Sequence, residues 1–420
     1  MWCTETYKTK DSARLCMLSP TRQHYVRYTT VNMAHKIQEA WAGPAETTPT
    51  RQCASAACCI SQGLLTGVLA CMYVVLVVFF AYICAVAYEM LRIPACATSL
   101  QLPTHTGCNR DDALCGKRYN DIVQATMHNA FATTQDHMLV AQHRGCMRSA
   151  LVRGVRTFML DVHLTSSGDV ALCHYSCKMG TVSLSHTLHM FLEFLERNPR
   201  EIVTVILEMT PASPKSAAGR ALYLQWRQAI SASGLVPHMF SREQNRNVWP
   251  TLQQMIDDGT RMVSFSNFHS DHAAKIDWDM WQARFIEQTP FDSLTKRHLE
   301  ANCLVVTVFT PAWTMPWQLL LVMNQFTAAG VIGVNTDKSA AFADFMGMSA
   351  LQTVNGEQLL WHRVHKCARC LARIPNFVVV DFWDSSDVLQ VVRRLNNLSS
   401  HERRRILQGN LSACPLPPAK

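Results

Sequence analysis

Two histidines each close an apolar run. His128 ends "DIVQATMH" (121–128) and is followed by Asn129, and His174 ends "DVALCH" (169–174). Between them "VRTFMLDVH" (155–163) closes on Asp161 and His163, and "EIVTVILEM" (201–209) carries Glu208. Far downstream "NFVVVDFW" (376–383) delivers Asp381 and Trp383. A histidine with its ordinary pKa of about 6.5 gives or takes a proton near neutral pH, so two of them with carboxylates are the parts of an acid–base pair. Burying a polar group at the end of an apolar strand is costly unless the strand end opens onto a site. Each residue alone has a plainer explanation. A strand-end histidine is commonly a hydrogen-bonded structural residue, a lone aspartate a helix cap, Glu208 an ion-pair partner, and Trp383 packing against the last helix. Four consecutive strands that each end in a histidine or carboxylate are better explained by one site.

The positioning elements follow from the pattern. Strands are expected at 121–128, 155–163, 169–174, 201–209, 260–267, 303–309, 330–336 and 376–383. Helix-like stretches lie at 183–199, 217–234, 315–330 and 386–398. Near-continuous Val/Ile/Leu strands alternating with helices predict a parallel sheet covered by helices. About eight strands over roughly 300 residues fit a TIM-type (β/α)8 barrel, regular or distorted, with its site at the C-terminal strand ends. An open doubly wound sheet is the alternative, weakened because no glycine-rich phosphate loop follows the first strand. In a strand, Asp161 and His163 share one face, as do Asp381 and Trp383.

Composition places this domain. The 420 residues carry 17% charged and 48% hydrophobic side chains, with a formal charge of +8. No Lys/Arg block tracks a nucleic-acid backbone, which argues against DNA or RNA as a partner; the basic balance suits an anionic lipid surface better. Residues 52–88 hold no charged side chain, and 64–88 are almost wholly apolar. Since about 20 apolar residues span a bilayer, a transmembrane helix at 64–88 is expected. The expected arrangement is then a disordered cytoplasmic tail (1–60), the span, a linker with Pro94 and Pro103, a domain at 108–405 and a C-terminal tail (406–420). The domain is expected to be lumenal or extracellular, because Cys108/Cys115 and Cys173/Cys177 are spaced as in disulfide loops and Asn397 and Asn410 begin glycosylation sequons. "CARC" (367–370) also reads as half of a zinc site without its second ligand pair. Cys58 and Cys59 are palmitoylation candidates. The start at Met1 or Met33, and cleavage after Ala97 in "ACA", stay open.

The segments "HNAF", "GVRTFMLDVH", "LCHYSC", "EIVTVILE", "WPTLQQMIDDGTRMVSF" and "PNFVVVDFW" occur in that order. Together they resemble the X-domain superfamily of phosphatidylinositol-specific phospholipases C, in particular its fungal and plant branch of secreted or membrane-anchored PLC-like phosphodiesterases. The resemblance covers roughly residues 108–400. It implies that His128 is the general base that deprotonates the inositol 2-hydroxyl, and that His174 is the general acid that protonates the departing diacylglycerol oxygen. Asn129, Asp161 and Glu208 match three calcium-binding positions of the eukaryotic enzymes, which implies Ca2+ as cofactor. Met159 stands where that set has a glutamate. The arginine that replaces Asp161 in metal-free bacterial enzymes is also missing, and His163 is a candidate substitute ligand or donor.

The leading expectation is a membrane-anchored phosphoric diester hydrolase that acts on a phosphatidylinositol-like phospholipid. Trp383 would then dip into the lipid interface. A catalytically degenerate lipid- or glycan-binding module, favoured by Met159, is the second reading. A glycerophosphodiester or sphingolipid phosphodiesterase is the third. Oligomeric state is left open.

Overall fold

The β-branched runs become strands because their side chains, apolar on both faces, are buried on both sides of one sheet. The computed structural model describes residues 56–408, apart from breaks of which the longest are 268–278, 306–318 and 327–353. The strands are β1 (Gln124–Met127), β2 (Thr157–Leu164), β3 (Val170–Leu172), β4 (Val182–Ser183), β5 (Val203–Thr210), β6 (Met262–Ser266), β7 (Asp279–Trp281), β8 (Ile286–Gln288), β9 (Leu320–Gln325) and β10 (Phe377–Val380). Their order is β7-β6-β5-β2-β1-β10-β9-β8, and every neighbouring pair on this path is parallel. This is the strand order of a TIM-type barrel cut between β7 and β8. No pairing joins those two strands among the described residues, so the sheet is not closed.

Two expected elements change. The run 169–174 is no barrel strand: β3 runs antiparallel to β2 and hairpins into β4. Within 315–330, expected as a helix, Leu320–Gln325 form β9, buried on both faces between β8 and β10. The expected strands at 303–309 and 330–336 fall largely or wholly outside the described residues.

Amphipathic helices cover the sheet. They include α2 (Met147–Arg153), α3 (Leu184–Arg197), α4 (Ala217–Ser233), α6 (Glu357–Leu371) and α7 (Val388–Asn396), after α1 (Ala56–Leu91) and with the short α5 (Leu252–Asp257) between α4 and α6. Helix α3 starts because the Ser183 hydroxyl accepts from the His186 N–H, and it buries Leu184, Leu188, Phe191, Phe194 and Leu195. Helix α7 buries Val388, Val391, Val392 and Leu395, an i, i+3, i+4, i+7 stripe.

The chain divides into two compact units, one ending at Ile83 and one beginning at Cys84. The expectation of a single-pass membrane protein with a span at 64–88 is corrected here. Among the described residues, no helix is long and apolar enough to cross a membrane. The tail at 1–55, with Met33, lies outside the described residues, as do Pro94, the side chains of Cys58 and Cys59, and 409–420 with Asn410.

The segment after α1 is strapped to the domain rather than free. Cys96 is disulfide-bonded to Cys146. Arg148 donates from Nε to the Ala97 carbonyl (3.1 Å) and from a terminal guanidinium nitrogen to that of Thr98 (3.2 Å). Leu100 and Leu102 are buried, and their backbone groups pair with the Asn198 side chain. Cys108–Cys115 and Cys173–Cys177 pair as their spacing suggests. Cys367 pairs with Cys303, and Cys370 is disulfide-bonded too, so "CARC" on α6 is not half of a zinc site. Asn397 is exposed at the end of α7.

The two ends of the sheet differ in chemistry. At the N-terminal end, Glu201 is fully buried and ion-paired with Arg156 and with His105 Nε2 (2.9 Å), while Arg261 donates to its carbonyl (3.3 Å). This is a clamp across the starts of β2, β5 and β6. The histidines lie at the other end.

Candidate active site

Strand β1 carries the chain to His128, whose N–H donates to the Val380 carbonyl of β10 (3.2 Å). One residue later Asn129 adopts φ 40°, and after Asp381 the chain turns again at Phe382, φ 49°. Non-glycine residues in this left-handed region cost energy and concentrate at functional sites. Here the two turns end adjacent parallel strands and set His128 beside Asp381. Nδ1 of His128 donates to Oδ1 of Asp381 at 2.8 Å. That bond fixes the tautomer and leaves Nε2 as the nitrogen for proton transfer. Phe326, just past β9, stacks on the imidazole at 3.8 Å between ring centres.

Strand β2 supplies Met159, Asp161 and His163 on one face, and β5 sets Glu208 in register beside Asp161. In the orientation that satisfies both ends of its amide, Asn129 donates to Asp161 Oδ1 (3.1 Å) and Oδ2 (3.3 Å) and accepts from His174 Nε2 (3.2 Å). Asn129 therefore links the carboxylate of β2 to the histidine that follows β3. Burial and the neighbouring Glu208 carboxylate push Asp161 up to about 7, with His128 opposing.

The two histidines are shifted in opposite directions. Burial works against a charge on His128, but the Asp381 carboxylate, its hydrogen bond, Asp161 and Glu208 together leave the pKa raised. Burial lowers His174 to about 4, aided by the charges of His128 and His163 and opposed by Asp381. A single proton shared between the two thus rests on His128 first.

Of the residues singled out from the sequence, His128, Asn129, Asp161, His174, Glu208 and Asp381 come together. His163 lies further along β2, against the Cys173–Cys177 disulfide, where burial lowers its pKa. Trp383 does not reach a lipid interface, which corrects that expectation. It is 2% exposed, its indole N–H donates to the Gly145 carbonyl (3.2 Å), and it belongs to the core. Three supports were not legible. Buried His143 donates from Nε2 to the His128 carbonyl, the Gln142 carbonyl accepts from Phe382 N–H (2.8 Å), and Asn355 Nδ2 donates to the Asp381 carbonyl (2.6 Å). They act across loops, and no local pattern marks them.

The donors fit a calcium ion poorly. Calcium takes six to eight oxygens, whereas the Asn129 amide with the Asp161 and Glu208 carboxylates supplies at most five. Met159 offers no oxygen. No step is therefore derived through a metal.

The family model described as PI-PLC X 1 matches residues 114–396. An uncharacterized secreted protein of Arthroderma benhamiae is 23% identical over 317 residues, covering 71% of this chain and 66% of its own length, so the chain spans just under two thirds of that relative. PI-PLC X domain-containing protein 1 of the same fungus is 22% identical over 330 residues, covering 76% of this chain and 97% of that one. Among solved structures, the phosphatidylinositol-specific phospholipase C of Listeria monocytogenes aligns with 68% of this chain and 98% of its own, at 13% identity and a TM-score of 0.44.

Proposed function

The chain belongs to the PI-PLC X family, and from that premise we propose that it is a phosphoric diester hydrolase. Its substrate is a phosphatidylinositol-like lipid, and its acid–base pair is His128 and His174. The observation that carries this reading is the His128–Asp381 hydrogen bond at the strand ends, with His174 held by Asn129 beside it.

In the proposed reaction His128 Nε2 takes the proton of the inositol 2-hydroxyl as that oxygen bonds to phosphorus. The bond from phosphorus to the glycerol oxygen breaks, and His174 gives that oxygen a proton. The products are a cyclic inositol phosphate and diacylglycerol. Asp381 stabilises the imidazolium that forms on His128, as an aspartate does beside a catalytic histidine. A bound phosphodiester anion raises His174 toward the protonated state its role requires. Asp161, pushed up to about 7 by burial and the Glu208 carboxylate, holds a proton more readily than an ordinary carboxylate, and its protonated carboxyl donates a hydrogen bond to a phosphoryl oxygen.

A binding module without turnover is favoured by one observation: His174 is held neutral in the empty site. Incubation of the purified chain with phosphatidylinositol vesicles, read by phosphorus NMR, decides between them. A cyclic phosphate product supports hydrolysis. Vesicle binding with no product from phosphatidylinositol, glycerophosphodiester or sphingolipid substrates supports the binding module.

A further inference from the structure

The face of β2 that carries Asp161 continues to His163, which pairs with Ala171 of the antiparallel β3. The chain leaves β3 at Cys173, whose N–H donates to the Asp161 carbonyl (3.3 Å), and returns at Cys177 to close the disulfide. The imidazole of His163 and the sulfurs of Cys173 and Cys177 all lie within 4.8 Å of one another. Cys173 is buried, while His163 and Cys177 are half-buried. The His163 imidazole makes no hydrogen bond with the described residues, although the backbone of β2 is paired on both sides there.

We propose that reduction of the Cys173–Cys177 disulfide opens a nitrogen–sulfur–sulfur site, formed with His163, for a soft or borderline divalent cation, zinc foremost. The chemistry balances. Two thiols of a cellular reductant become a disulfide, and their two electrons and two protons convert Cys173–S–S–Cys177 into two thiols. The cation then displaces those two protons to solvent and bonds to both thiolates and to the neutral imidazole.

The geometry suits the ion. In a tetrahedral zinc site sulfurs stand about 3.8 Å apart and a sulfur and nitrogen about 3.5 Å. After reduction the two sulfurs need only separate to that distance, within a cluster already gathered. Three protein ligands leave the fourth position to water. Thiolate and imidazole also select zinc over calcium or magnesium. The other short disulfide lacks these features. Arg200 places one guanidinium nitrogen 3.3 Å from the sulfurs of both Cys108 and Cys115, a positive charge where a cation would sit. Among the described residues, His163, Cys173 and Cys177 are the only such cluster.

His174 lies between the two cysteines in sequence, so loading the site places a cation beside it. That consequence rests on the phosphodiesterase reading, whereas the binding does not. The test therefore reads binding alone. The whole chain is reduced anaerobically with a water-soluble phosphine, which takes up oxygen from water as it reduces the disulfide, and is titrated with cobalt(II). A thiolate-to-cobalt charge-transfer band saturating at one equivalent, displaced by zinc and absent without reductant, is expected. It should vanish in C173S and weaken at least about tenfold in H163A, since even an outer-shell change costs that much affinity. No band in the reduced wild type overturns the proposal. A band undiminished in H163A overturns it equally, because cobalt would then sit on other thiols or on an unfolded chain. Far-UV circular dichroism of each reduced sample identifies the unfolded case.

Discussion

Nδ1 of His128 and Oδ1 of Asp381 meet at 2.8 Å although 253 residues separate them. Two adjacent parallel strands, β1 and β10, each end in a left-handed turn that aims one of the pair at the other. Exchanging the carboxylate for an amide keeps the shape and removes the charge. D381N is expected to lower kcat by about 10²-fold or more. The His128 pKa, followed by proton NMR, should fall with it. An unchanged pKa would mean that Asp381 is not what raises it.

Catalysis in this account needs His128 neutral and His174 protonated. The first is raised and the second lowered to about 4. The fraction in the required state peaks between the two values, so kcat/KM should follow a bell centred on the acid side of neutrality. The limbs belong to the coupled pair. Above the raised His128 value His128 is neutral but His174 has lost its proton, and near pH 4 His128 is cationic. A rate that climbs steadily through pH 8 would contradict this.

The clamp at the other end of the sheet governs stability rather than chemistry. Removing the Glu201 carboxylate leaves Arg156 buried without its charge partner. E201A is expected to cost about 3–5 kcal/mol, read as a lower midpoint in chemical denaturation. A loss below about 1 kcal/mol would place the pair among weak surface contacts.

Cys96–Cys146 closes a 50-residue separation, and the C96S/C146S pair should cost up to about 4 kcal/mol in the chain-entropy estimate. The same bond bears on cleavage after Ala97. Because Cys96 lies upstream of that point, the two pieces of a chain cut there should run together on a non-reducing gel and separate on a reducing one. Separation without reductant would mean that the disulfide does not form.

How much of this was legible depends on the kind of signal. His128, Asp161, Glu208 and Asp381 were readable because each interrupts an apolar strand at its end, and a polar residue there must be satisfied by a site. β9 was misread because "LLLVMNQ" is apolar on both faces, and a strand buried on both sides has no period to distinguish it from a buried helix. His174 was found, but its strand was placed in the barrel, since nothing local tells a parallel strand from a short hairpin. His143 and Asn355 were missed because their partners are backbone carbonyls across loops. The reading of 64–88 as a membrane span rests on composition alone, and among the described residues no helix is long and apolar enough to bear it out.

The most direct measurement is phosphorus NMR of phosphatidylinositol vesicles incubated with the wild-type chain, H128A and H174A, each with added calcium or with chelator. A cyclic inositol phosphate signal from the wild type, equal with calcium and chelator and reduced about 10²-fold or more in both variants, is the predicted result. A signal that both variants retain would contradict the acid–base assignment, and a signal lost on chelation would contradict the metal-free chemistry.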